Sequence, residues 1–184
     1  MPILFFSTPC ESNLHLQASD RPPLSERDPK IIRDYQQAVG SCMVLKVFTR
    51  GDCTFAVNQC VRFMSNLGPT YVAAIHRVLR YLAGNRSLGI TYRRSAETEG
   101  NQLWAIADAN HAGADDRHSV SGWAVLMAGA MVNLASKSQP VTAISSTESQ
   151  FYSVSLRSLD YGYLRRMMDM MGCKQRAATP IAQD

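Results

Sequence analysis

The sequence predicts an α+β protein, with a helical first half followed by a strand-rich half that carries one long helix. Three observations predict it. Apolar residues recur at helical spacing up to Gly84. From about residue 100 the pattern changes to short apolar runs separated by small turns. From Ser145 to Gly172 the chain then carries helix signals at both ends. The chain has 184 residues, enough for one ordinary domain or a small one with an appended part. At 46% hydrophobic and 18% charged it is globular rather than disordered.

Residues 1–29 read as an extended linker, because "SDRPPLSERDP" is dense in proline and small polar residues. The apolar burst Ile3–Phe6 lacks a basic lead, and a signal-peptide core needs roughly 7–15 apolar residues. It reads as a strand or a packed terminus. Residues 30–100 form a mostly helical region. "PKIIRDYQQAVGSCMVLKVF" is the first helix, weakened at Gly40. "GDCTFAVNQCVRFMSN" is the second, with Asp52 as N-cap and Phe55, Val57, Val61 and Met64 as its partial apolar stripe. "GPTYVAAIHRVLRYLAG" is the clearest, with Pro69 in its first turn and Gly84 as its stop. Its spacing predicts burial of Val72, Ile75, Leu79 and Leu82. "SLGITYRRS" reads as a short strand, with a polar loop after it to about Gly100. Residues 101–184 then read as strand, strand, strand, helix, strand. "QLWAIAD" is buried, "SGWAVLMAGAMVNLASK" folds back at Ala128-Gly129-Ala130, the long helix follows, and "ATPIAQD" closes the chain.

Net charge is +4, with a pI near 8.9, which permits nucleic-acid binding without demanding it. The basic residues are concentrated. Arg62, Arg77, Arg80, Arg86, Arg93 and Arg94 occur in a stretch without a single acid, and such a series can track a phosphate backbone. Five cysteines, an odd number without CxxC spacing, read as reduced thiols with no zinc site and no disulfide framework. His111 and His118 lack ligand spacing. No apolar run has the length of a membrane span.

Three acids stand where chemistry can use them. Asp108 ends a core strand, Glu148 lies in the first turn of the long helix, and Asp184 ends the last strand. A two-metal phosphodiesterase site needs carboxylates from separate elements converging on its ions. Each acid also has a structural reading. Ser145 and Glu148 fit the S-x-x-E capping box, Asp108 fits a turn, and Asp184 is terminal. Asp115, Asp116 and Arg117 read as a solvated turn.

Longer motifs bear on this choice. "YQQAVGSCMVL", "TRGDCTFAVNQCVRFMSN" and "RVLRYLAGNRSLGITY" are followed by "ADANHAGADDRHSVSGWAV" and "ASKSQPVTAISSTESQFYSVS". In that order they resemble the end of the reverse transcriptase and the RNase H domain of copia-type retrotransposon Pol polyproteins. The resemblance implies an RNase H-like mixed sheet with a long helix on one face, after helices from the end of the polymerase. It implies magnesium ligation by Asp108, Glu148 and Asp184, and RNA–DNA hybrid as the substrate. It also implies a degraded site. Asn110 stands where the family has an Asp, His111 where it has a Trp, Gly51 where it has a Pro and Gln150 where it has an acid. The family's further helix, strand and Asp lie beyond Asp184. The expectation is an incomplete RNase H-like domain with weak or absent nuclease activity.

A second resemblance rests on Arg77-Val78-Leu79-Arg80, which is similar to the R-x-L-R host-translocation motif of secreted effectors from oomycete plant pathogens. It implies a secreted, non-enzymatic virulence protein that contacts host proteins inside plant cells and modulates defence or cell death. The retroelement resemblance implies an intracellular one. The tetrad lies in a predicted helix, and "ETEG" stands where such effectors have an acidic stretch.

Overall fold

The structure is a computed structural model that describes residues 5–11, 16, 23, 28–65, 67–93, 101–110 and 119–183, without the side chains of Asn110, Leu156 and Arg157. The chain divides into two compact units, Met1–Gly89 and Ile90–Asp184.

The first unit is helical. Helix α1 (Pro29–Phe48) starts where the Asp28 carboxylate accepts the Lys30 amide at 2.8 Å, with Pro29 in the first turn. It runs through Gly40 without a break. A 3₁₀ turn (Gly51–Cys53) leads into α2 (Thr54–Val61), and α3 spans Pro69–Gly84. Their inner faces bury Tyr35, Val39, Val57, Cys60, Tyr71, Ile75 and Val78. Phe63 and Tyr71 stack with ring centres 4.5 Å apart, and the Tyr35 hydroxyl donates to the Cys60 carbonyl at 2.8 Å.

Three expectations change here. Asp52 is not an N-cap: α2 begins later, after Cys53, and the Asp52 carboxylate is taken by Arg50 and Tyr81. The buried stripe of α3 is Tyr71, Ala74, Ile75, Val78 and Tyr81, while Leu79 is 37% exposed. Burial of two tyrosines, each a large apolar body, turns the helix away from the purely aliphatic stripe. Finally, part of the expected linker is packed, since Leu16 lies in this core and Phe6 and Cys10 pack against it.

The second unit is a sheet with one helix. Strands β1 (Trp104–Asn110), β2 (Val120–Met127), β3 (Ala130–Ser138) and β4 (Ile181–Gln183) form the order β3-β2-β1-β4. The pairs β1–β2 and β2–β3 are antiparallel, and β4 runs parallel to β1. Ala128 and Gly129 form the hairpin turn with φ of 54° and 75°, as a two-residue primed turn requires. Residues 88–93 form no strand. They are held instead by the Arg93 amide on the Ala128 carbonyl (2.9 Å) and the Tyr92 hydroxyl on the Met131 carbonyl (2.8 Å).

Helix α4 (Ser146–Met170) stops where the sequence predicts. Gly172 has φ 80°, its amide bonds Asp169 O at 3.0 Å, and the Cys173 amide bonds Met168 O at 2.8 Å. This is the two-bond left-handed termination that glycine permits. Tyr161 and Met168 of α4 pack with Ala105 and Val125 of the sheet. Ala107 and its cross-strand partner Trp123 are buried on that same face. By alternation Trp104, Ile106 and Asp108 point to the opposite face, where all three are exposed.

Candidate functional site

The end of the sheet near Asp108 is where three chain segments arrive. Asp108 pairs with Gly122 across the β1–β2 ladder, and Ala109 pairs with Ser121. Gln139, just after β3, donates from Nε2 to Ser121 Oγ and to the Ser149 carbonyl, both at 2.8 Å. One buried amide thus ties the first turns of α4 to this sheet end. On the other side β4 runs alongside β1 and brings Gln183 opposite Ala107. Asp184 follows and lies outside the described residues, as do His111, Asp115, Asp116, Arg117 and His118.

Each of the two described acids accepts one backbone amide through one carboxylate oxygen. Asp108 Oδ1 accepts the Ala109 amide at 2.7 Å. Glu148 Oε2 accepts the Ile144 amide at 2.7 Å, and the Glu148 amide donates to Ser145 Oγ at 3.1 Å. That is a capping box whose glutamate reaches one residue beyond the N-cap. Asp108 faces the side of the sheet that α4 does not cover. Among the described residues no three His, Cys, Asp or Glu side chains are grouped to hold a metal ion.

A buried polar cluster at this sheet end is invisible to motif reading. Ser119, Ser121, Gln139, Ser149 and Ser153 are each 3% exposed or less. Gln139 Oε1, Ser149 Oγ and Ser153 Oγ have no protein partner. The one available signal is the repeat of serine at i and i+4 on the sheet-facing side of α4.

The expected arginine series divides. Arg62, Arg77, Arg80 and Arg86 belong to the first unit, Arg93 to the second, and Arg94 lies outside the described residues. Arg62, Arg80 and Arg86 are exposed, with the Arg62 guanidinium 5.7 Å from the Phe63 ring centre. Arg77 is engaged with Glu11 at 2.9 Å and Thr8 at 3.2 Å. Within Arg77–Arg80, Val78 is buried, so the tetrad is a folded helical turn. All five cysteines are free thiols. Burial pushes Cys53 and Cys60 up to about 12 and raises Cys10 and Cys42.

Fold and sheet end together define an α+β protein with a mixed four-stranded sheet and an acid, Asp108, two residues before the end of the inner strand β1. Comparison with known proteins supplies the family. The chain is 30% identical over 172 residues to the retrovirus-related Pol polyprotein from transposon TNT 1-94 of Nicotiana tabacum, covering 92% of this chain and 13% of that one. It is 33% identical over 142 residues to the Pol polyprotein from transposon RE1 of Arabidopsis thaliana, covering 77% and 9%. It is also 37% identical over 122 residues to secreted RxLR effector protein 161 of Plasmopara viticola, covering 66% of this chain and 84% of that one. The chain belongs to the retrotransposon Pol polyprotein family, in a sequence group that the effector-named relative shares. It spans most of that relative and a small part of the polyproteins. No family model matches the chain, and no solved structure matches it.

Proposed function

We propose that the protein is a retrotransposon-derived, copia-type reverse transcriptase–RNase H segment that contacts nucleic acid without efficiently cleaving it. The observation that carries the reading is topological. A β3-β2-β1-β4 sheet with β4 parallel to β1 and a helix between β3 and β4 brings Asp108, the start of α4 and the end of β4 to one sheet end. A mixed sheet with one long helix against it supports the RNase H resemblance. The reading of poor catalysis rests on Asn110 in place of an acid, two residues along the strand from Asp108. The exposed arginines of the first unit supply the phosphate contacts.

The test is incubation of the full chain with a labelled RNA–DNA hybrid and magnesium. The expected result is salt-sensitive binding with little or no cleavage. Cleavage that Asp108→Asn abolishes would overturn the non-catalytic reading, and salt-independent or undetectable binding would overturn the nucleic-acid reading.

The second reading, a secreted effector that acts by contact with host proteins in plant cells, is favoured by the 37% identity over most of one effector-named relative. A C-terminal tag followed in culture fluid and lysate decides it. Protein found outside the cell favours the effector. Protein retained with Met1 or Pro2 intact removes that reading.

A further inference from the structure

Arg77 differs from the other arginines of the first unit in what covers it. Its Nη1 meets Glu11 Oε1 at 2.9 Å and its Nη2 meets Thr8 Oγ1 at 3.2 Å. Its guanidinium lies 4.4 Å from the centre of the Phe6 ring, within cation–π range. Its Nε is buried without a partner, and the side chain is 22% exposed. All three partners come from one segment, Phe5–Glu11. That segment is seated at its other end too. A Cβ on Gly84 would lie 2.9 Å from Phe5 Cβ, so only glycine lets Phe5 pack there, and Asn85 Nδ2 reaches the Phe6 carbonyl at 3.5 Å. Cys10, between Thr8 and Glu11, is half-buried against the helical core.

We propose that Phe5–Glu11 is a strap over α3 whose Glu11 carboxylate and Thr8 hydroxyl occupy, on Arg77, the place of a nucleic-acid phosphate, so that Arg77 takes a phosphate only where the strap gives way. This rests on the nucleic-acid reading above. An arginine fork that holds one carboxylate and one hydroxyl oxygen presents the donor geometry that recognises two oxygens of a phosphate. The strap is weakly held on its acidic side. Glu11 is 72% exposed, and exposed pairs are worth little. Arg50, by contrast, is buried against its own acid and is not available to a ligand. A polyanion that releases counterions on binding outcompetes one exposed carboxylate. Arg80, exposed three residues along α3, extends the same contact.

The experiment uses the full chain with Cys173→Ser, which removes the exposed thiol and leaves Cys10 the least buried of those remaining. Two quantities are read: affinity for a labelled RNA–DNA hybrid at low salt, and the rate at which Cys10 reacts with a thiol reagent. Glu11→Gln is expected to bind roughly three- to five-fold tighter, with faster Cys10 reaction, and adding Arg77→Ala removes the gain in affinity. Gly84→Ala displaces Phe5 without touching a charge and is expected to act in the same direction. Saturating hybrid is expected to speed Cys10 reaction in the unmutated strap. Equal hybrid affinity in the parent, Glu11→Gln and Gly84→Ala overturns the strap while leaving the nucleic-acid reading standing. Absence of hybrid binding in every variant overturns both.

Discussion

Arg50 is 6% exposed and carries a full charge, which burial alone would make costly. Its neighbours offset that cost. Nε and Nη2 meet the two Asp52 oxygens at 3.0 and 2.8 Å, Nη1 donates to the Asn85 carbonyl at 2.9 Å, and the guanidinium lies 5.2 Å from the Tyr81 ring centre. The Tyr81 hydroxyl donates to Asp52 at 2.6 Å. This group joins the end of α1, the 3₁₀ turn and the end of α3. Burial pushes the Asp52 carboxyl up, but the hydrogen bonds from Arg50 and Tyr81 more than offset it and hold it below its ordinary range. Asp52→Asn leaves Arg50 buried without its anion and is expected to cost about 2–3 kcal/mol, less than a fully buried pair because Asp52 is 32% exposed. A depressed carboxylate stabilises the fold above its unfolded pKa and loses that contribution as pH falls through the folded value. The difference between parent and Asp52→Asn is therefore full at pH 7 and shrinks below about pH 4. Urea melts at the two pH values measure it, and a pH-independent gap would refute the ion-pair account.

At the scale of elements, the helix ends and turns were legible because their chemistry is local. Ser145, Glu148 and Gly172 act within a few residues of themselves, and α4 starts and stops accordingly. The start of α1 at Pro29 was legible in the same way, while its cap Asp28 emerged only in the structure. Asp52 misled because its partners Arg50 and Tyr81 include one that is distant in sequence, and spacing carries no record of that. The strand expected at "SLGITYRRS" fails for a related reason: its β-formers meet the hairpin turn through two single bonds rather than a ladder. Two substitutions follow. Glu148→Ala is expected to cost about 1 kcal/mol in thermal or urea unfolding, while Glu148→Gln, whose amide oxygen still accepts the Ile144 amide, costs little. If both cost the same, the capping account of Glu148 fails. In the hairpin, Ala128 sits at φ 54° without the side chain that tolerates it, so Ala128→Asn, giving Asn-Gly, is expected to stabilise by about 0.5–1 kcal/mol. An unchanged or lower midpoint would count against the primed turn.

At the scale of the whole molecule, a mixed sheet carrying one long helix was legible from motif order, while the strand order β3-β2-β1-β4 was read only from the structure. The buried link through Gln139 was not legible either, because a glutamine after a strand reads as surface. Nor was the division into units, which falls at Gly89 rather than near residue 100. That division has a measurable consequence. Each unit holds its own apolar cluster, and separate cores open as separate cooperative units when neither depends on the other. The chain carries a probe for each. Cys42, Cys53 and Cys60 are buried in the first unit, and both tryptophans, Trp104 and Trp123, lie in the second. Thiol labelling under increasing urea reports the first core, and tryptophan emission reports the second. The two midpoints are expected to differ. Asp52→Asn is expected to lower the thiol midpoint and leave the tryptophan midpoint in place, and Glu148→Ala to do the reverse. Coincident transitions that move together in both variants would mean that the two clusters fold as one cooperative core. The strap and the sheet end could then no longer be treated as separable parts, and a substitution at either would have to be read against the stability of both.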